Sequence, residues 1–172
     1  MPKQLRIFPE KCIGCKSCEL ACSLVNEGEM NPSRSRITMI AFVEGRCGLP
    51  YNIPLTCRQC ADAPCLEACP VDAILRSRDT MKTIIIDYKT CINCGKCVDA
   101  CPFGAMFYDG EDRRPLKCEL CGGEPACVSI CPSEAILFVQ RRPFYAKPQA
   151  LEREGFSILS KRNRQKFQES ES

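Results

Sequence analysis

A chain of 172 residues with 24 Lys and Arg against 21 Asp and Glu is long enough for one domain or two small ones, and its formal charge of +3 does not demand nucleic acid. Seventeen cysteines and no histidine remove the usual general base, the histidine-containing zinc sites and the Rieske ligand set, so sulfur must hold whatever is bound. The opening MPKQLRIFPEK has no apolar signal core and no run of ~18 apolar residues follows, so a reducing cytoplasm is the expected setting, with no membrane span and no disulfides.

In chain order, LRIF at 5–8 is a short strand-like run that leads into Cys12, Cys15, Cys18 and Cys22. Residues 23–56 exceed what those cysteines need and contain a predicted strand at RITMIAFV, bracketed by turn residues; YNIPLTC then enters Cys57, Cys60, Cys65 and Cys69. AILRSRDTMKTIIIDYKTC, residues 73–91, reads as strand, polar turn, strand and delivers the chain into Cys91, Cys94, Cys97 and Cys101. After AMFYDG come Cys118, Cys121, Cys127 and Cys131, then AILFV at 135–139, suited to pair with the run near the start. Residues 140–172 are charged and predict a helix without a strong apolar stripe, either a solvated terminus or a docking arm that orders on a partner or a second copy. Cys47, in EGRCGLP, stands outside the four groups, as a small buried hydrophobe or as a spare ligand or reactive thiol.

The stretch CINCGKCVDACP, residues 91–102, has the spacing C-x2-C-x2-C-x3-C-P of the bacterial ferredoxin run, in which three close thiolates reach one [4Fe-4S] cube and the fourth ligates another. Proline after the fourth cysteine stops a helix and turns the chain. CPVDAIL at 69–75, CPFGAMF at 101–107 and CPSEAIL at 131–137 share Cys-Pro-x-x-Ala and an aliphatic residue, the self-similarity of duplicated units. The first copy departs, since Ser23 follows Cys22, but it keeps all four thiols. Zinc ribbons use paired C-x2-C knuckles instead; four zinc ions on sixteen cysteines are the competing metal reading.

By the crossed-ligand rule the expected sets are Cys57, Cys60 and Cys65 with Cys101; Cys91, Cys94 and Cys97 with Cys69; Cys12, Cys15 and Cys18 with Cys131; and Cys118, Cys121 and Cys127 with Cys22. The expected fold class is α+β: two bacterial-type dicluster ferredoxin modules, nested so that copies one and four pair and copies two and three pair, with an extended C-terminal arm. Its parts are residues 1–22 and 114–139 as the outer module, 23–52 as an inserted, partner-facing segment, 53–113 as the inner module and 140–172 as the tail, a docking helix if it orders. Sequential pairing of copies one with two and three with four is the alternative. At roughly −2 per cluster, four [4Fe-4S] clusters take the formal charge from +3 to about 3 − 8 = −5, so Lys11, Lys16, Arg113, Arg114 and Lys117 balance anionic centres or form solvated faces.

Over residues 12–131 the sixteen cysteines resemble the four-cluster ferredoxin-like electron-transfer subunits of large redox complexes, the small iron-sulfur subunits of molybdenum and tungsten oxidoreductases and hydrogenase-linked complexes. CELACSLVNEGEMNPSRSRI looks most like the subunits that accompany tungsten-dependent aldehyde oxidoreductases. The resemblance implies a non-catalytic subunit of anaerobic metabolism that relays single electrons. Its implied partners are a large catalytic subunit, with a tungsten or molybdenum pterin, and a further donor or acceptor. Ile13, Ile92, Pro64 and Val71 are the expected apolar shields, and the protein tunes each cluster within a range of roughly −700 to +450 mV. A freestanding polyferredoxin is the alternative. Intrinsic catalysis lacks a nucleotide motif and a histidine base, and a purely structural metal module would show no reversible redox wave.

Overall fold

The computed structural model describes residues 3–43, 50–109 and 112–140. Cys47 and the tail beyond 140 lie outside the described residues, as do the expectations attached to them. Among the described residues the architecture is mixed, with four two-stranded antiparallel ribbons and four α-helices, three of them a single turn long.

Strand β1 (Lys3–Ile7) pairs with β8 (Ile136–Gln140), with Leu5 opposite Phe138 and Ile7 opposite Ile136. Chain start and last copy are thereby joined, as the LRIF and AILFV runs lead one to expect. Between copies two and three, β4 (Ile74–Arg76) and β5 (Ile84–Ile86) form the expected ribbon, and Asp79 closes its turn by accepting the Ser77 hydroxyl and the N–H groups of Met81 and Lys82. The strand expected at RITMIAFV is β2 (Ile37–Val43). Its partner is β3 (Pro50–Thr56), so the run entering copy two is paired with the inserted segment. The ribbon after copy three is β6 (Phe107–Tyr108) with β7 (Pro115–Leu116).

Three helices begin between the second and third cysteines of their copies or close after the second, and end where Cys-Pro follows: α2 (Pro64–Glu67), α3 (Lys96–Asp99) and α4 (Ala126–Ser129). Helix α1 (Ser17–Glu27) has no such stop and runs 11 residues, to a left-handed cap at Gly28. Ser23, where the others have proline, accepts the N–H of Asn31 at 3.0 Å and is fully buried.

Helix α1 packs on α4, and α2 on α3. Each pair shares its core with cysteines. One core holds Cys18, Cys22 and Cys127 with Ile37 and Ile136; another holds Cys65 and Cys97 with Ile74, Ile84, Ile86, Val98 and Met106. A third, of Leu55, Ala105, Phe107 and Leu116, lies between β3 and the β6–β7 ribbon. Across the middle, fully buried Lys117 donates to the carbonyls of Ile84 and Cys118, while Gln59 donates to Cys118 O at 2.7 Å and accepts from Ile84 N at 2.8 Å.

Candidate cluster-binding sites

One backbone device recurs in all four cysteine loops. The residue two after the leading cysteine is left-handed: Gly14 at φ 70°, Gln59 at 51°, Asn93 at 56° and Leu120 at 60°. Such a reversal aims successive N–H groups into a concavity suited to an anion, and Gln59 and Leu120 adopt it against their own steric preference.

The shared Cys-Pro-x-x-Ala has an equally direct reading. Asp72, Gly104 and Glu134 are left-handed (φ 51°, 58° and 52°), which swings the following N–H back onto sulfur. Ala73 N donates to Cys69 Sγ at 3.2 Å and Ala105 N to Cys101 Sγ at 3.4 Å, and Ala135 N donates to Cys131. All three alanines are 1% exposed, which leaves no room for a larger side chain. Where proline is missing, Cys22 Sγ receives Arg36 N at 3.4 Å and the Asn26 amide at 3.6 Å, the latter from one helical turn farther on.

Two cavities bring cysteines of different copies together. One, of about 320 Å³, is lined by Cys22 from the first copy with Cys118, Cys121 and Cys127 from the fourth. The other, of about 310 Å³, is lined by Cys69 from the second with Cys91, Cys94 and Cys97 from the third. Elsewhere Cys12 lies within electrostatic range of Cys131, Cys15 and Cys18, and Cys57, Cys60 and Cys65 within range of Cys101. Between these groups Cys18 lies within the same range of Cys127, Cys57 of Cys118, and Cys65 of Cys97.

The donor set fits [4Fe-4S] clusters. All sixteen expected ligands are free thiols. Among the described residues no three Cys, Asp or Glu side chains converge tightly enough to share one metal ion, whereas a four-iron cube takes one thiolate per iron and lets the sulfurs stand apart. Burial pushes the Cys18 and Cys97 thiols up to about 12 and those of Cys60 and Cys118 to about 11. Thiolates in such places need the positive charge of iron beside them. At Cys131 burial also pushes upward, but hydrogen bonds from Ala135 N and the Ser133 hydroxyl outweigh it and the thiol is lowered.

The expected shields divide. Val71 lines the second cavity from within and Pro64 opens α2, half-buried, but Ile13 and Ile92 are 65% and 61% exposed, beside the exposed Cys15 and Cys94. Sequence reasoning missed Asn26, Arg36, Thr56 and Glu119, which line the first cavity and carry no motif of their own. Arg114 is tied to Glu27 and Asp109, and Lys117 is an interior cation, so neither belongs to a solvated face. Among the described residues no helix is long and apolar enough to cross a membrane.

Comparison with known proteins adds the following. The family model for a 4Fe-4S dicluster domain matches residues 49–141, and that for a 4Fe-4S binding domain matches residues 5–23. The polyferredoxin-like subunit of aliphatic sulfonate oxidoreductase from Pyrococcus furiosus is 41% identical, over 73% of this chain and 69% of its own length. The thiosulfate reductase electron transfer subunit PhsB of Salmonella typhi is 32% identical, over 75% of this chain and 71% of its own length. In the solved active site complex BamBC of benzoyl coenzyme A reductase, one polypeptide aligns with 93% of this one and 90% of itself, at 24% identity and a TM-score of 0.47.

Proposed function

This polypeptide belongs to the 4Fe-4S dicluster family, and on that footing we propose that it is the electron-transfer subunit of a multi-subunit oxidoreductase, with four [4Fe-4S] clusters in two nested dicluster modules. Each cluster, when bound, takes up and gives back a single electron. The protein's own part is to hold, space and shield these groups.

The observation that carries the ligand assignment is the cavity that draws Cys22 from one end of the chain to Cys118, Cys121 and Cys127 at the other. The second cavity supports it with Cys69 among Cys91, Cys94 and Cys97. The remaining sets are Cys12, Cys15 and Cys18 with Cys131, and Cys57, Cys60 and Cys65 with Cys101. Pairing of β1 with β8 and of β4 with β5 favours the nested arrangement over the sequential one. Residues 1–22 and 114–139 then make the outer module and 53–113 the inner, with 23–52 as the partner-facing insertion.

Cys18 beside Cys127, Cys118 beside Cys57 and Cys65 beside Cys97 string the four sets into one line. Its ends are the exposed Cys15 and Cys94, each under an exposed isoleucine, and these are the places where a donor and an acceptor dock. Arg36 and Asn26 orient the Cys22 sulfur, and the alanine N–H groups do the same for Cys69, Cys101 and Cys131. The catalytic partner is an oxidoreductase subunit, of the tungsten or molybdenum class by resemblance, in the cytoplasm. The tail serves as an arm to that partner or to a second copy.

Anoxic affinity purification from the native host, with metal analysis and mass spectrometry, tests the reading. Co-elution of a large subunit bearing tungsten or molybdenum is expected; recovery of the protein alone, with about sixteen irons, defeats the resident role. Cys22→Ser and Cys121→Ser must disturb the same cluster's paramagnetic signal, and a shared signal for Cys22→Ser and Cys57→Ser refutes nesting.

A further inference from the structure

The two cavities match in size and thiol count but not in lining. Around Cys69, Cys91, Cys94 and Cys97 the other side chains are apolar: Val71, Ala73, Ile74, Ile86, Ile92 and Pro115. Around Cys22, Cys118, Cys121 and Cys127 stand Asn26, Arg36, Thr56 and Glu119.

One of these carries a buried donor with no partner, Nε of Arg36, and the buried hydroxyl of Thr56 turns to the Cys118 thiol. An unmet donor in the interior is costly unless an acceptor arrives. The rest of Arg36 is engaged: its backbone N–H meets Cys22 Sγ at 3.4 Å, Nη1 meets Asn26 Oδ1 at 2.6 Å and Nη2 meets Glu27 at 3.2 Å. Asn26 turns its amide to the same sulfur at 3.6 Å. Glu119, the one carboxylate in the wall, is occupied in accepting the N–H of Ile86 at 3.0 Å. The wall thus turns donors of Arg36, Asn26 and Thr56 toward whatever the four thiols hold.

We propose that Arg36, Thr56 and Asn26 donate to the cluster held by Cys22, Cys118, Cys121 and Cys127, and that this makes it more easily reduced than the cluster held by Cys69, Cys91, Cys94 and Cys97. A reduced cluster carries one more negative charge than an oxidised one, so donors favour it selectively. The apolar wall around Cys69 offers no such preference. The inference rests on the ligand assignment above.

The test is a redox titration of the anoxic holo-complex followed by electron paramagnetic resonance, with Cys121→Ser identifying the signal. That signal is expected to have a higher midpoint potential than the signal that Cys94→Ser identifies. Thr56→Val, which keeps the shape and removes the hydroxyl, and Arg36→Gln are each expected to disfavour its reduction about tenfold, ~59 mV for a one-electron couple, with iron content and the other three signals unchanged. Thr56→Val guards against the loss of the Arg36–Glu27 pair in the arginine variant. Unchanged potentials in both variants, with all clusters present, overturn the inference and leave the ligand assignment standing. If Cys22→Ser and Cys121→Ser disturb different signals, the assignment fails and the inference with it.

Discussion

Nε of Arg34 donates to Oδ2 of Asp109 at 3.0 Å across 75 residues of chain, and the Asp109 side chain has no solvent exposure. Arg114 reaches the same oxygen at 3.2 Å, and Glu27 gathers Arg34, Arg36 and Arg114. The turn after α1 is thereby fastened to the β6–β7 ribbon. The Arg34 guanidinium is held above its ordinary value, first by its hydrogen bond to Glu29 and then by Asp109. Asp109→Asn removes the buried carboxylate that Arg34 and Arg114 share but leaves both of them Glu27, at an expected cost of about 1–3 kcal/mol. Glu29→Gln, at a residue whose side chain is 45% exposed, is expected to cost under ~1 kcal/mol. Urea denaturation of the holo-protein compares them, and equal losses would contradict this ranking of the network.

Gly95 has φ 74°, and a Cβ there would fall on the Tyr108 hydroxyl, which donates to Gly95 O at 3.4 Å. Gly95→Ala is therefore strained twice, in its backbone and in its contact. We expect preferential loss of the cluster beside Cys94 and Cys97, read as about four irons fewer per chain. The double variant Gly95→Ala with Tyr108→Phe should recover part of it; full iron in the single variant would show that the loop yields.

Lys117 is buried without exposure, and its ammonium serves the carbonyls of Ile84 and Cys118. Lys117→Met preserves length and removes both donations. Cys118 O keeps its hydrogen bond from Gln59, so the loss expected in chemical denaturation is that of the Ile84 interaction, about 1–3 kcal/mol. A neutral result would mean that water reaches the seam.

Ser23→Pro installs the residue that the other three copies carry after their fourth cysteine. Here it should destabilise by about 3 kcal/mol or more, because position 23 is inside α1 and its hydroxyl accepts the N–H of Asn31. Thermal unfolding of the holo-protein reads the difference. A stabilised variant would show that the longer helix is incidental.

What was legible in the sequence followed from periodicity and repetition. The ribbons at 74–86 and between β1 and β8 were visible because short apolar runs flank polar turns or mirror each other at the two ends. The thiol rhythm carried the cofactor. Backbone reversal at Gln59 and Leu120 was not visible, since neither residue favours it and only the equivalence with Gly14 and Asn93 exposes the rule. The ion network was hidden for another reason: Glu27 and Asp109 look like any surface carboxylates until a fold joins them. Lys117, read as a balancing charge or a solvated face, is an interior tie, and Arg36, just before β2, and Thr56, at the end of β3, drew no notice because such residues acquire a role only from the cavity they border.

Cysteine occupies the interior here where another small protein would place leucine or valine, with Cys18, Cys22, Cys65, Cys97 and Cys127 all inside its apolar cores. Such a chain is part mineral, and its keystone is laid by the cell's iron-sulfur supply rather than by translation. Oxygen that dissolves a cube would remove masonry as well as current, so a break in the electron path should be followed by digestion by proteases.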